Sequence, residues 1–172
     1  MKKEMQQSDM RLVIHDLPAD VLPVIQDNRT KEIRDDGSIR SCIGCFGCWL
    51  KTPGKCILKD TYSDMGRMLA ASGEILLISR CCFGGPGPFV KNVLDRSISY
   101  ILPYFVIKNG EMHHRQRYPK TLALKAVFYG EDLTIQEKDT AREWVAAMAD
   151  NLYCEVQQVT FCITPEEAGG FL

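Results

Sequence analysis

The sequence predicts an α/β fold, a three-layer sandwich in which helices cover a mostly parallel sheet of five strands, with an added hairpin. Short apolar runs typical of buried strands alternate with segments of helical periodicity, which is the order that right-handed β–α–β crossovers require. The length of 172 residues, with 45% hydrophobic and 25% charged residues, fits one globular domain over residues 1–172.

The first half of the chain contains three predicted strands and two predicted helices. A continuous apolar run predicts a strand buried on both faces of a parallel sheet, where polar alternation is absent. Pro23 limits the first helix to about two turns, and Gly73 ends the second. The predicted elements are a strand over 11–14, a helix over 19–26, a strand over 30–34, a helix over 61–72 and a strand over 74–79.

The second half continues this alternation and adds the hairpin. Asn109 and Gly110 between extended residues are a two-residue hairpin signal. Thr134 and Glu137 have the spacing of a capping box at the start of the longest helix. The predicted elements are a tight loop over 84–88, a helix over 89–100, a hairpin over 105–114, a strand over 122–129, a helix over 134–153, a strand over 156–163 and a frayed tail over 164–172.

Composition narrows the classes of function. The net charge of −1 and the pI near 6.3, without a basic stripe, argue against binding to nucleic acid or to an anionic membrane. No apolar stretch approaches the ~20 residues of a transmembrane helix, and the first residues lack the apolar core of a secretory signal. We therefore expect a cytoplasmic protein, in which eight cysteines indicate metal binding or redox chemistry before structural disulfides.

Four cysteines form the sharpest motif: Cys42, Cys45 and Cys48 at intervals of three, followed by Cys56. Two residues between successive thiols let them turn toward one point, and the glycines between them let the backbone wrap closely. Four thiolates suit a [4Fe–4S] cluster or tetrahedral zinc. The alternatives are cysteines that pack as small apolar residues without a ligand, or a disulfide formed on exposure to air.

Three segments together resemble the NAD(P)H-dependent FMN reductase and iron–sulfur flavoprotein family of flavodoxin-like proteins. They are the cysteine segment that begins CIGCFGCW at position 42, the loop over 79–85 with the helix after it, and the hairpin, and they cover most of residues 39–131. The resemblance implies a flavodoxin-like sandwich, FMN, NAD(P)H as electron donor, a small-molecule acceptor, and homodimers or tetramers. Within the domain it sets apart a cysteine loop over 41–60 and a hairpin insertion over 103–118.

Position by position, the resemblance places the flavin against the loops that follow two strands. Glycines permit close backbone approach to a flat ring, and an aromatic side chain such as Phe83 stacks on it. The residues so assigned to the cofactor are Ser79, Arg80, Cys81, Cys82, Phe83, Gly84 and Gly85 on the first loop and Tyr129, Gly130 and Glu131 on the second. The alternative interpretation is a tight Gly-Pro turn before a helix, with Asp95 and Arg96 as an ordinary surface ion pair.

The segment after the first strand departs from the family pattern. Members of the family hold the FMN phosphate there with a Ser/Thr-rich loop, a basic residue and the start of a long helix, whose N–H groups bind the dianion. Residues 15–20 read HDLPAD here, and the carboxylates of Asp16 and Asp20 repel phosphate. Arg80 is a candidate substitute cation for a phosphate or a nicotinamide nucleotide, or a partner for Asp16.

Two hypotheses of function follow. In the first, the chain is an FMN-dependent NAD(P)H oxidoreductase or electron-transfer flavoprotein, with or without a [4Fe–4S] cluster; the cofactor supplies the chemistry, so no catalytic side chain is assigned. In the second, a flavodoxin-like protein without FMN keeps the metal loop and acts as a metal-binding or interaction module. A nucleotide or another ligand in the flavin cleft is a third possibility.

The redox interpretation requires that the cysteine segment and the glycine turn near position 84 flank one shared pocket. We also expect the apolar stretch over 98–105 and the hairpin to join subunits in a homodimer.

Overall fold

The computed structural model describes residues 10–22 and 27–172. Over these residues the chain forms eight strands and five helices. In order they are β1 (Arg11–His15), β2 (Thr30–Arg34), α1 (Gly47–Leu50), α2 (Met65–Ala71), β3 (Glu74–Cys82), β4 (Gly85–Pro86), α3 (Pro88–Arg96), β5 (Ile101–Lys108), β6 (Glu111–Gln116), β7 (Leu122–Tyr129), α4 (Ile135–Leu152), β8 (Cys154–Cys162) and α5 (Pro165–Gly169).

Five parallel strands form the central sheet in the order β2-β1-β3-β7-β8, which is the predicted α/β, flavodoxin-like arrangement. Ile14 in β1 lies beside Ile33 on one side and Leu77 on the other. Because β1 stands between β2 and β3, the strand order reverses at the junction of β1 and β3. In parallel sheets with this order, the carboxyl ends of the strands beside the reversal are where ligands bind.

The two faces of the sheet carry layers of unequal thickness. Helices α2, α3 and α4 pack on one face and bury the larger core, which includes Leu12, Ile14 and Leu77. On the other face α5 and a 3₁₀ turn, Ala19–Val21, pack on a smaller cluster around Ile78. The Arg11 guanidinium donates hydrogen bonds to the last two carbonyls of the chain and so holds them on this thinner layer.

Several local predictions are confirmed. Strand β7 has the predicted bounds. The hairpin turn places Asn109 and Gly110 at φ values of 55° and 86°, the left-handed pair that this turn requires. Helix α4 begins with a capping box in which Thr134 and Glu137 bond to each other's backbone amides.

Other boundaries differ from the predictions. The tail predicted to fray contains α5, capped by the Thr164 side chain, and Phe171 and Leu172 pack against the smaller core. The helix predicted over 19–26 is a 3₁₀ turn over its first three residues, and its last four lie outside the described residues. Helices α2 and α3 are shorter than predicted, whereas β3 runs on to Cys82 and β8 begins at Cys154.

The hairpin forms a separate two-stranded sheet and exposes large apolar side chains on β5 and β6. They are Tyr104, Phe105, Ile107 and Met112. Assembly into homodimers or tetramers through this region stays a prediction. Within residues 10–22 and 27–172, none of the helices combines the length and the apolar character that crossing a bilayer requires.

Candidate functional site

The cysteine segment is a tight coil that leads into α1. Gly44 and Phe46 both lie in the left-handed region, with φ values of 62° and 55°, so the chain turns sharply between the thiols. A Cβ on Gly47 would lie 2.6 Å from Ile57, and this close approach requires glycine. Trp49 is buried, and its Nε1 donates a hydrogen bond of 2.9 Å to a carbonyl at the start of β5, which fixes α1.

All four predicted metal ligands line one cavity of about 170 Å³. Cys48 is buried and Cys56 is half-buried, whereas Cys42 and Cys45 are exposed. Apolar side chains supply most of the remaining wall: Ile43, Phe46, Trp49, Leu58 and Ile98. The fold therefore places the four thiols of the motif around one cavity, and their binding of a metal stays a prediction.

The pKa of the Cys48 thiol depends on its burial and on charge at the other three cysteines of the motif. Burial raises the pKa of the Cys48 thiol, and negative charge on Cys56, Cys42 and Cys45 raises it further. A cation bound among the thiolates offsets this repulsion, because it interacts favourably with each charged sulfur.

Arg96, the last residue of α3, holds the Cys56 arm. Its side chain is fully buried, and Nε donates to the Cys56 sulfur at 3.1 Å. The two Nη atoms each donate to one carboxylate oxygen of Asp60 at 2.7 Å, and Nη1 also donates to the Arg40 carbonyl at 2.8 Å. Since a buried charge is tolerated only when fully paired, this network ties both ends of the cysteine segment to α3.

The interpretation of Asp95 and Arg96 as a surface ion pair is wrong. Asp95 pairs with Lys91, one turn earlier on α3, at 2.5 Å. Arg96 lies inside with the apolar face of the helix. The buried position of Arg96 could have been predicted from helical periodicity, because Arg96 lies seven residues after Phe89 and three after Val93, which are both buried.

Among the described residues, no group of three or more His, Cys, Asp or Glu side chains lies in positions that could hold a metal ion. The donor set nonetheless suits a metal centre in its chemistry, since four thiols line one cavity and a guanidinium stands beside one of them. Four thiolates are the donors of both [4Fe–4S] clusters and structural zinc. The residues fit such a centre by their chemistry.

A second cavity, of about 560 Å³, lies at the carboxyl ends of β3 and β7. Half of the ten residues predicted to bind the flavin line it: Arg80, Cys81, Tyr129, Gly130 and Glu131. Its position follows the general rule for open parallel sheets.

The other five predicted flavin residues are not among the lining of this cavity. Ser79 is buried in β3, and Cys82 and Gly85 pair β3 with β4. Phe83 and Gly84 form the turn between these strands, with φ values of 52° and 79°. The Phe83 side chain is 95% exposed, so it does not stack within the cavity.

Asp16 follows β1, and its carboxylate lies against the ends of β3 and β7. The Ser79 hydroxyl donates to Oδ2 at 2.7 Å, and the Arg80 amide and the Tyr129 hydroxyl donate to Oδ1 at 2.9 Å and 3.1 Å. Burial raises the pKa of the Asp16 carboxyl, against the opposing effect of these hydrogen bonds. The sequence offered Arg80 as a partner for Asp16 but did not indicate the hydroxyls of Ser79 and Tyr129, which lie near the carboxyl ends of the neighbouring strands β3 and β7.

In the described part of the chain, neither Arg80 nor His15 pairs its basic side chain with the Asp16 carboxylate. The bond from Arg80 to Asp16 comes from the backbone amide and not from the guanidinium. His15 is fully buried; its Nε2 lies 2.9 Å from Glu32, and its Nδ1 accepts from the Leu17 amide at 3.2 Å. Both ring nitrogens of His15 are therefore committed to holding the chain at the end of β1.

The FMN phosphate that the resemblance implies does not fit the residues present at the β1–β3 junction. The donors that converge there already bind the Asp16 carboxylate, which would repel a dianion. In the described part of the β1–β2 connection there is a 3₁₀ turn, Ala19–Val21, in place of a helix whose first amides could hold phosphate.

The prediction that the cysteine segment and the glycine turn flank one shared pocket is wrong, and with it the redox interpretation that joined the two segments. The cysteine cavity lies beside the last turn of α3, where it includes Asp95 and Arg96. The glycine turn instead precedes the first turn of α3, and Gly84 packs against Thr140 of α4. The two cavities have no lining residue in common, so each is a separate candidate site.

No protein-family model matches the chain, and a search of curated proteins finds no relative that matches it.

Proposed function

We propose that this chain is a flavodoxin-like metalloprotein that works in electron transfer through its four cysteines and without FMN. The observation that carries the proposal is that Cys42, Cys45, Cys48 and Cys56 line one cavity. Three cysteines at successive intervals of three favour an iron–sulfur cluster over zinc, because bacterial clusters use this spacing. The misfit of the FMN phosphate favours this hypothesis over a hydride-transferring flavoprotein.

The roles of the residues follow from their positions. The four thiolates would hold the cluster, which when bound supplies reversible one-electron transfer. The apolar wall limits access of water, and Arg96 orients Cys56 while placing positive charge beside its sulfur. The exposure of Cys42 and Cys45 leaves one side of the centre accessible to a small-molecule electron donor and acceptor. Free thiols of this kind suit a reducing compartment such as the cytoplasm.

Anaerobic purification after expression with added iron tests the proposal. We expect a brown protein with about four iron atoms per chain and visible absorption that fades on reduction. Cys45→Ser and Cys48→Ser should lose the colour and most of the iron. Cys162→Ser is the matched control, because Cys162 is half-buried at the end of β8, away from the cavity, and should keep both.

The same preparations distinguish the competing hypotheses. Stoichiometric FMN without metal would overturn the proposal in favour of the flavoprotein hypothesis. Zinc in place of iron, lost in Cys48→Ser, would leave a metal site but contradict electron transfer. A metal content unchanged by Cys45→Ser and Cys48→Ser would show that these cysteines are packing residues.

A further inference from the structure

Three hydrogen-bond donors converge beside the end of β1. The hydroxyls of Ser79 and Tyr129 and the amide of Arg80 lie 2.7–3.1 Å from the carboxylate oxygens of Asp16. The Gly87 amide donates to the Ser79 hydroxyl oxygen at 2.8 Å, and the Ser79 proton has two acceptors in reach, Asp16 Oδ2 at 2.7 Å and the Arg80 carbonyl at 3.1 Å. Several protons directed at one point are what binding of an oxyanion requires.

The surrounding backbone is shaped to a group of carboxylate size. A Cβ on Gly87 would lie 2.5 Å from Asp16 Oδ2, so the start of α3 approaches the carboxylate as closely as only glycine permits. Asp16 also stands where the strand order reverses, between β1 and β3. In sheets of this order that junction is where a ligand would be expected.

We propose that the end of β1 carries an oxyanion site that the chain's own Asp16 carboxylate occupies, so that Asp16 excludes cofactors with a terminal phosphate from this position. The site is built from β3, β7 and the α3 N-terminus and needs no cysteine. The oxyanion proposal and the cysteine proposal can therefore fail independently of each other.

This assignment restricts what the neighbouring cavity accepts. The cavity beside Arg80 and Glu131 stays open at the strand ends, but a ligand there gains nothing from a phosphate at the β1–β3 junction. We therefore expect FMN and riboflavin to bind with equal affinity, because the terminal phosphate by which they differ has no site.

Chemical rescue tests the oxyanion site directly. Asp16→Ala removes the occupant and leaves the donors, so added formate should raise the thermal midpoint of this variant by several degrees through binding to the folded state alone. Asp20→Ala is the matched control, since Asp20 is an exposed carboxylate four residues later. Asp20→Ala and the wild type should respond to formate no more than to the same concentration of chloride.

Two results would overturn the assignment. One is an Asp16→Ala protein whose response to formate equals that of the wild type. The other needs no variant: wild-type protein that binds FMN about tenfold more tightly than riboflavin would have a working phosphate site, since one hydrogen bond to a charged group is worth at least that factor. An Asp16→Ala chain that folds only when formate is present would support the assignment.

Discussion

At the scale of single residues, Arg96 and Asp60 determine how the cysteine segment is attached. Both side chains are almost completely buried, with 0% and 4% exposure, and together they satisfy each other's hydrogen bonds. The Arg96 hydrogen bonds are the main reason why the pKa of Asp60 lies below its ordinary value. Breaking such a pair leaves an unpaired buried charge, which costs more than the pair itself contributes.

We therefore expect Asp60→Asn to lower the free energy of unfolding of the metal-free protein by about 3 kcal/mol at neutral pH. The pKa of Asp60 is lower in the folded chain, so the stability it contributes is present above the ordinary value of 3.8 and is lost as the pH falls through the folded pKa. Urea unfolding over this range should show the two proteins converging at low pH. A difference that is the same at all pH values would contradict this account.

At the scale of elements, the turn from β3 into β4 shows how glycine permits close packing. Gly84 has a φ of 79°, and a Cβ there would lie 2.6 Å from the Thr140 side chain of α4. Gly110 in the hairpin has a similar φ of 86° but nothing within 4 Å of a Cβ. Substitutions at the two positions therefore distinguish the cost of backbone strain alone from the cost of strain plus steric overlap.

Gly110→Ala should cost about 1 kcal/mol, the strain of a left-handed alanine. Gly84→Ala should cost about 2 kcal/mol or more, because the added methyl also displaces α4 or the turn. Denaturant midpoints of the two variants measure the difference. Equal losses of stability would mean that α4 accommodates the added methyl group beside Thr140 without an energetic cost.

Elements with strong local signals could be predicted from the sequence. The capping box of α4, the Asn109–Gly110 turn and the apolar run of β3 each report a local preference that the fold keeps. The parallel direction of the strands followed from the alternation of these elements. The tail was misjudged although Thr164 and Glu167 have the spacing of a helix cap and Pro165 stands at the first helical position. Tertiary contacts within the cluster of Leu17 and Ile78 also hold α5.

The candidate sites could be predicted only in part, for the same reason. The cysteine spacing identified the four thiols, since their proximity is a property of one short segment. The partners of Asp16 come from two other strands, β3 and β7, and Arg96 pairs with Asp60, more than thirty residues earlier in the chain. Burial of a charge depends on such distant partners.

At the scale of the whole molecule, the described residues place the cysteine cavity and the strand-end cavity apart rather than in one pocket. The cavity at the strand ends keeps the position expected of the fold, but Asp16 fills its anion site. The cysteine cavity lies at the other end of α3 and depends on the loop between β2 and α2. The proposed chemistry therefore belongs to that loop, with the sheet as its support.

Extended X-ray absorption fine structure of the bound metal is the sharpest test of the proposed cysteine centre, because it counts the atoms that surround the metal. For the anaerobically purified wild-type protein, we expect iron with four sulfur atoms in the first shell and other iron atoms in the second shell. A first shell of oxygen or nitrogen atoms, or a spectrum unaltered in Cys48→Ser, would contradict it.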